Sequence, residues 1–253
     1  MPTQSFLLRE YFHLSVLRLL SLRLSDRVYA VKGGICLRLF HGSPRLSEYM
    51  DLDAAPGIRP DTLAKNVDAI LNGGALMGHL ASHGVTGLRG TKPKQTDVTQ
   101  RWKIVLEMPE GKVGTKIEFS RLASKLSFTE GVPSSEILLA HGSVPFAARY
   151  YDAAEMIRQK TLALAAPSRN AARDLFDLHH LIHFRQTSAE SLKALDANIL
   201  RAAVEKIGAF SFGDFNAQVI PYLTDEMIGA YRAPSAFQSL QGRVREVLEE
   251  ALR

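Results

Sequence analysis

The feature that most limits the possible folds is a pair of alternating segments on either side of a turn. Residues 101–107 and 115–121 each alternate polar with apolar side chains, and Pro109-Glu110-Gly111 stands between them. A period of two places the apolar side chains on one face of an extended segment. The pattern therefore predicts an antiparallel β-hairpin, so the first half of the chain must contain a sheet.

Apolar spacing and turn residues predict the other elements, which together make an α+β chain. Before residue 150, helices are predicted at 5–24 (with its arginines on the outer face), 35–41 and 61–83, strands at 27–32 and within 45–55, and a loop-rich stretch at 122–145. Beyond Tyr151, helices are predicted at 152–166, 169–185, 189–207 and 236–252, with Ser188 and Ser235 as N-caps.

The change of character near residue 150 predicts two domains. The first is a mixed α/β domain at 1–150, and the second is a helical domain at 151–253. No Gly/Ser-rich linker marks the boundary. We therefore expect the two domains to pack together, with an active site between them.

The 253-residue chain carries a net charge of +5, and the excess is unevenly distributed. Residues 1–50 contain seven Lys or Arg and three acidic residues, and residues 89–125 contain nine and four. A basic surface raises the local concentration of nucleotides and RNA. A solvated basic face without a partner gives the same pattern.

Cysteine content and hydropathy indicate a cytoplasmic protein. The single cysteine, Cys36, excludes an intramolecular disulfide, as is typical of a reducing compartment. Arg9, Glu10, Arg18 and Arg23 interrupt the apolar residues at the N-terminus, so no signal peptide is predicted. No apolar run reaches the ~18 residues of a membrane span, so we expect no membrane contact.

The segment Asp51-Leu52-Asp53 is the first candidate for chemistry. On a strand, both carboxylates point to one face and Leu52 points into the core. Like charges this close repel each other unless a cation lies between them. Mg²⁺ prefers oxygen ligands, so the segment indicates a magnesium site that can hold a nucleoside triphosphate (NTP). A solvated strand end is the alternative.

Two further segments of the first half are candidate parts of the same site. Lys32-Gly33-Gly34 follows an apolar strand, and glycines let backbone N–H groups approach a phosphate closely. The alternative there is an ordinary strand-to-helix turn. Glu118, on the second strand of the hairpin, is a candidate third carboxylate for the metal, and an exposed cross-strand ion pair is its alternative.

The helical half contains a charged cluster made of Lys160, Arg169, Arg173, Asp174 and Asp177. The two aspartates are spaced i, i+3 and the two arginines i, i+4, so each pair shares one side of a helix. Such a cluster can bind triphosphate oxygens. A helix that carries internal salt bridges is the alternative.

His179 and His183 are one helical turn apart, a spacing that permits zinc binding. No cysteine and no H-E-x-x-H pattern accompanies them. Ordinary surface or core histidines are therefore the preferred interpretation, and a zinc hydrolase is the weakest hypothesis.

Taken in order, these segments resemble the AbiEii/AbiGii-type toxins. Residues 31–39 (VKGGICLRL), Arg45-Leu46-Ser47 and Asp51-Leu52-Asp53 resemble the opening of that family. Residues 160–177 resemble its pair of charged helices, and Ile117-Glu118 resembles its third strand. The resemblance extends over about residues 25–185.

The resemblance implies a polymerase-β-like nucleotidyltransferase with a mixed sheet and a C-terminal helical domain. It also implies the toxin half of a toxin–antitoxin pair, with Mg²⁺ as cofactor, an NTP as substrate and an antitoxin as partner. Relatives of this kind add nucleotides to the 3′ end of tRNA, which makes tRNA the expected acceptor.

The resemblance also assigns roles to individual residues. Asp51 and Asp53 would bind the metal with help from Glu118, Lys160 would neutralise the triphosphate, and Asp177 would complete the catalytic site. The residues expected to bind the nucleotide are Lys32, Gly33, Gly34, Arg45, Ser47, Arg173 and Asp174.

The sequence departs from the family between Ser47-Glu48 and Asp51. Tyr49 and Met50 stand there, where the family is commonly shorter. This departure supports a second hypothesis, a non-catalytic module that binds a nucleotide or a partner without turnover.

Overall fold

A computed structural model describes the chain in two compact units. The described residues are 2–24, 28–121, 128–184 and 189–253. The first unit comprises residues 1–42 and 46–151, and the second comprises 43–45 and 152–253. Three sequence-based expectations lie outside the described residues: the strand start at Arg27, the basic residue Lys125 and the N-cap Ser188.

The described residues of the first unit form a seven-stranded sheet and five helices. The helices are α1 (Pro2–Arg23), α2 (Gly33–Phe40), α3 (Pro60–Leu71), α4 (Gly74–Ala81) and α5 (Ser135–Ala140). The strands are β1 (Tyr29–Lys32), β2 (Tyr49–Ala54), β3 (Gly87–Gln95), β4 (Thr99–Met108), β5 (Gly111–Ser120), β6 (Thr129–Gly131) and β7 (Ala148–Tyr150). Their order is β3-β4-β5-β2-β1-β7-β6, and the β2/β5 and β1/β7 pairs are parallel whereas the others are antiparallel.

The predicted hairpin is β4 and β5, and its alternation separates a core face from an open face. Trp102, Ile117 and Phe119 are buried on the core face. There the Trp102 Nε1–H donates to a carboxylate oxygen of Asp68 on α3, at 2.9 Å. Lys103, two strands away from Asp51, lies on the open face and is exposed. The core of this unit therefore lies on one side of the sheet, and the carboxylates of β2 lie on the other.

Three parts of the sheet region differ from the sequence-based expectation. β3 shows no apolar alternation because nearly all its side chains are exposed, and Pro93 falls at a register shift that an edge strand tolerates. The stretch predicted to be loop-rich contains β6, α5 and β7. The predicted helix 61–83 is two helices, α3 and α4. The chain turns so tightly at Gly73 that a Cβ atom would lie 2.8 Å from the carbonyl oxygen of Ala69.

Helix α1 differs from the predicted amphipathic helix because residues 10–17 are buried on all sides. Its polar side chains there are paired. Glu10 accepts hydrogen bonds from Arg38 at 2.6 Å and from His141 at 2.9 Å. Burial raises the pKa of Glu10, but the hydrogen bonds from His141 and Arg38 outweigh it, so the pKa lies below its usual range.

His13 is the second buried polar residue of α1. The Thr115 hydroxyl donates to the carbonyl oxygen of Glu48 at 2.7 Å, so His13 Nε2, 2.8 Å away, must donate to Thr115. Burial lowers the pKa of His13 to about 3. His13 is therefore neutral in the folded protein at neutral pH.

The second unit is helical. Its helices are α6 (Ala153–Ala165), α7 (Ala172–Phe184), α8 (Ala197–Ala209), α9 (Phe212–Gln218), α10 (Asp225–Tyr231) and α11 (Pro234–Glu250), with 3₁₀ turns at Ala189–Leu192 and Ile220–Tyr222. The helix predicted at 189–207 is thus a 3₁₀ turn followed by α8. Ser235 is not an N-cap, because Pro234 already occupies the first helical position and Ala233 precedes it.

Among the described residues, none of the helices has both the length and the apolar character that a membrane crossing requires.

We predict that the free energy of unfolding falls as the pH falls below about 6.5, with His13 contributing up to about 1.4 kcal/mol per pH unit. The unfolded chain binds a proton at His13 near that pH, whereas the folded chain does so only near pH 3. The stabilisation from His13 is therefore fully present above the pKa that His13 has in the unfolded chain, and it is lost as the pH falls below that value. Urea unfolding at pH 7, 6 and 5 tests this. The prediction is contradicted if His13→Asn has the same pH dependence as the wild type.

Candidate functional site

The candidate site in the first unit begins where β1 passes into α2. Lys32 ends the strand, and Gly33 is the first helical residue, so the strand passes into the helix without a separate turn at the predicted position. Gly33 has a φ of +69°, and a Cβ atom there would lie 3.4 Å from Asp51 Oδ2. Gly34 continues the first turn of α2. The amino end of α2, with its unpaired backbone N–H groups, is therefore close to Asp51.

Sheet register places the predicted acidic residues together. Asp51 is paired with Lys32 on β1 and with Glu118 on β5. Asp53 lies two residues along β2 and points to the same face. The Asp51 side chain is 35% exposed and that of Asp53 only 8%, so Asp51 is the more accessible carboxylate.

Two cations and one hydroxyl offset the repulsion between these carboxylates. Lys116 Nζ lies 3.3 Å from Asp51 Oδ1, and Lys32 Nζ donates a short hydrogen bond to Asp53 Oδ1. The Tyr151 hydroxyl donates to Asp53 Oδ2 at 2.9 Å. Each aspartate therefore has its own cation, and Asp53 is fixed at both oxygens.

Tyr151 and Lys116 were not assigned to the site from the sequence. The Tyr151 carbonyl oxygen accepts a hydrogen bond from His41 Nε2 at 2.9 Å, and its backbone N–H donates to Val31 at 3.2 Å. These contacts hold its hydroxyl against Asp53. Lys116 lies two residues before Glu118 on β5, and no local pattern marks Tyr151.

Glu118 lies next to Asp51 but is engaged by cations. Its Oε2 accepts a short hydrogen bond from Arg101, and Lys116 Nζ is 3.5 Å from the same oxygen. Burial raises the pKa of Glu118, but Arg101 and Lys116 together lower it below its usual range. The alternative given for this residue, a cross-strand ion pair, is what the structure shows.

The residues present fit a cation held by the two carboxylates of β2. Mg²⁺ is usually bound by one or two protein carboxylates together with substrate phosphates and water. Asp51 and Asp53 can supply these two. Within the described ranges, no three Asp, Glu, His or Cys side chains form a metal-binding group. In the structure Glu118 is engaged by Arg101 and Lys116, and its role as a metal ligand stays a prediction.

The segment before β2 accounts for the departure at Tyr49 and Met50. Both residues belong to β2, where Met50 is buried in the core and Tyr49 is exposed. The Ser47 hydroxyl donates to the Tyr49 carbonyl oxygen at 2.9 Å and so fixes the entry into the strand. The two residues lengthen the strand ahead of Asp51 rather than disrupting it.

Four other predicted residues form a buried ion-pair network in the second unit. Arg45 makes two hydrogen bonds of 2.8 Å to the Asp177 carboxylate. Lys160 Nζ lies 2.6 Å from Asp177 and 2.9 Å from Asp174. Arg169, at the edge of the network, donates to Asp174. The positive charge of Lys160 is thus already balanced inside this unit, and its role towards a triphosphate stays a prediction.

The network keeps its members charged. Burial raises the pKa of Asp177, but Arg45 and Lys160 outweigh it and hold the pKa well below its usual range. Burial lowers the pKa of Lys160, but Asp177 and Asp174 raise it above its usual value. These ion pairs join α7 to α6, to Arg45 and to Arg169, so the arrangement is a network between segments and not the single helix with internal salt bridges given as the alternative.

Arg173 and the histidines lie outside this network. Arg173 is exposed on α7, next to the buried Asp174. The rings of His179 and His183 stack at 5.6 Å, but the described residues offer no third ligand for zinc. Burial and His183 lower the pKa of His179 to about 4. The zinc hypothesis therefore has no support in the geometry.

We predict that Arg45→Met destabilises the protein by about 3 kcal/mol or more, because it leaves Asp177 buried with only one of its two cations. Arg173→Met, on an exposed side chain of the same unit, should change stability by less than about 0.5 kcal/mol. Urea unfolding measures both. Equal losses for the two variants would contradict the network.

We also predict that Gly33→Ala costs about 1–2 kcal/mol, because an L side chain is strained at this positive φ. Gly90→Ala is the matched control, since a Cβ atom there meets nothing within 4 Å. Thermal unfolding of the two variants tests the difference, and a Gly33 variant as stable as the Gly90 variant refutes it.

Comparisons with known proteins agree with the fold. The sequence profile described as the nucleotidyl transferase AbiEii toxin of type IV toxin–antitoxin systems matches residues 15–250. No curated protein matches the chain by sequence. The crystal structure of JHP933 from Helicobacter pylori is similar, with a TM-score of 0.58 and 20% identity over 96% of this chain and 92% of that one.

A second H. pylori structure, described as a candidate nucleotidyltransferase, has a TM-score of 0.57 and 19% identity over 96% of this chain and 95% of that one. These structures confirm the predicted α+β nucleotidyltransferase fold. The profile match extends over nearly the whole chain and confirms the resemblance found in the sequence. The chain therefore belongs to the AbiEii nucleotidyltransferase toxin family of type IV toxin–antitoxin systems.

Proposed function

We propose that the chain transfers a nucleotide from an NTP to an RNA acceptor, the 3′ end of tRNA, in a Mg²⁺-dependent reaction centred on Asp51 and Asp53. The observation that carries the proposal is the placement of both carboxylates on the open face of β2, beside the amino end of α2. This juxtaposition offers a divalent cation two oxygen ligands and offers phosphates a set of backbone N–H donors.

When bound, Mg²⁺ would supply positive charge at the triphosphate and so favour departure of pyrophosphate. Asp51 and Asp53 would hold the ion, because they are the two carboxylates that share this face. Tyr151 keeps Asp53 in one orientation through its 2.9 Å hydrogen bond. The ligand pair is therefore largely formed before any substrate arrives.

The chain's own cations complete the site. Lys32 and Lys116 lie against the two aspartates and are half-buried, so each can also reach an oxygen of a neighbouring phosphate. In the proposed reaction an acceptor hydroxyl attacks the α-phosphate in line, and the bond to the β-phosphate breaks. Positioning of the reactants and neutralisation of charge supply most of the rate acceleration in reactions of this class.

Membership of the family implies an antitoxin partner. We propose that the antitoxin restrains the transfer activity and that the reaction takes place in the cytoplasm. A chain without a disulfide is compatible with a reducing compartment, and its one cysteine, Cys36, is buried.

The test is incubation of the purified protein with Mg²⁺, total tRNA and each NTP in turn, labelled at the α-phosphate. The wild type should transfer label to RNA, and removal of Mg²⁺ with a chelator should abolish transfer. Asp51→Asn/Asp53→Asn should reduce the rate by about 100-fold or more. Asp61→Asn, an exposed carboxylate on α3, is the matched control and should act as the wild type does.

Each alternative outcome has a defined meaning. Full activity in the Asp51→Asn/Asp53→Asn protein overturns the proposed site. Label on the protein in place of RNA keeps the enzyme class and overturns the acceptor. Saturable nucleotide binding without any transfer overturns the proposal in favour of the non-catalytic module.

A further inference from the structure

The open face of the sheet carries more positive charge than the proposed transfer site needs. Side chains on this face come from strands β3, β4, β5, β2 and β1, as the register between these strands shows. We call the part formed by β3, β4 and β5 the basic face. Its cationic residues are Arg89, Lys94, Arg101, Lys103, Lys112 and Lys116.

The basic face is continuous with the aspartates. One row of directly paired residues crosses the strands in the order Lys94, Arg101, Glu118, Asp51. Three interstrand steps of ~4.8 Å place Lys94 about 14 Å from Asp51. This distance is the length of about four stacked nucleotides at ~3.4 Å each. A short single strand can therefore extend from the aspartates to the edge strand.

Half of these cations are not engaged by carboxylates. Arg89 pairs with Glu107, Arg101 with Glu118, and Lys116 with Asp51 and Glu118. By contrast Lys94, Lys103 and Lys112 are exposed and form no salt bridge with the described carboxylates, although Lys112 lies opposite Glu107, which Arg89 engages. Three cations on this face therefore remain available to a polyanion.

Protection of the sheet edge against pairing with other sheets explains only part of the positive charge on the basic face. Lysines and a proline on an edge strand such as β3 prevent pairing with other sheets. Lys103, however, lies on β4, inside the sheet, and directly opposite Lys116. Like charges directly opposite each other destabilise a sheet. Lys116 is already paired with Asp51 and Glu118, so Lys103 is the member of this pair whose charge a binding partner can neutralise.

An exposed aromatic ring lies on β2 beside both the basic face and the aspartates. Tyr49 is two residues before Asp51 on the same face of β2, and it is 41% exposed. The ammonium group of Lys116 lies 4.9 Å from its ring centroid. A ring beside cations is the combination that binds single-stranded nucleic acid, because bases stack on the ring while cations contact phosphates.

We infer that the basic face binds the single-stranded end of the RNA acceptor. Lys94 and Lys103 contact its phosphates, and a base near its terminus stacks on Tyr49 next to Asp51. The inference rests on the proposed function for the identity of the acceptor. The surface itself follows from the register, the unpaired lysines and the exposed ring.

The test measures binding of a short, fluorescently labelled single-stranded RNA to the full chain at several salt concentrations. Neutralising one phosphate contact should reduce the slope of log affinity against log salt by about 0.7 for a single strand. We therefore expect a slope smaller by about 0.7 for Lys103→Gln and by about 1.4 for Lys94→Gln/Lys103→Gln. The matched control is Lys65→Gln, an exposed lysine on α3, which should keep the wild-type slope.

The role of Tyr49 is tested with the same RNA. Tyr49→Ala should weaken binding by about fivefold or more, whereas Tyr49→Phe keeps the ring and should bind as the wild type does. Thermal unfolding and NTP binding of each variant check that fold and nucleotide site are intact.

The inference is overturned if the wild type binds no RNA, which would leave the basic face to an acidic protein partner. It is also overturned if the Lys94→Gln/Lys103→Gln protein keeps the wild-type slope or if Lys65→Gln loses as much. Label transfer separates this inference from the proposed function. If label is transferred but the variants bind RNA as the wild type does, only the basic face as a binding surface is rejected. If RNA binds through the basic face but no label is transferred, only the proposed reaction is rejected.

Discussion

The arrangement of the first unit depends on how the repulsion between two carboxylates on one face of β2 is offset. Asp51 and Asp53 are kept together because the neighbouring strands bring a counter-charge to each, Lys116 from β5 and Lys32 from β1. The Tyr151 hydroxyl removes the remaining freedom of Asp53. The mixed sheet order is what makes this possible, since β2 lies between one parallel and one antiparallel neighbour. Contacts from both neighbouring strands and from Tyr151 thus hold the carboxylate pair in place.

Charge is used differently in the second unit. Arg45, Lys160, Asp174 and Asp177 are almost fully buried and contact one another directly, so loss of one member leaves an uncompensated charge in a poorly solvated environment. The cations beside Asp51 and Asp53 are instead half-exposed, and solvent or a ligand can take their place. This difference in burial separates charges that hold the fold together from charges that can bind a substrate.

The two faces of the sheet show the same division of roles. Trp102, Ile117 and Phe119 fill the core face, where α1 and α3 cover them. On the open face Lys103 and Lys116 lie directly opposite each other across β4 and β5. The exposed lysines and the carboxylates of β2 therefore lie on the same face of the sheet, opposite the core.

The sequence by itself determined the elements with a strong local signal. These are the β4–β5 hairpin, the strand that carries Asp51 and Asp53, the helical second half and the family, because periodicity and short motifs are properties of neighbouring residues. It did not predict β3, whose exposed side chains show no alternation, or the break at Gly73. Tertiary structure alone decided that Glu118 pairs with Arg101, that Tyr151 fixes Asp53, and that Lys160 lies between two aspartates. Each of these contacts joins residues that are distant along the chain or lie on different strands, and only the register and packing of the folded chain bring them within hydrogen-bonding distance.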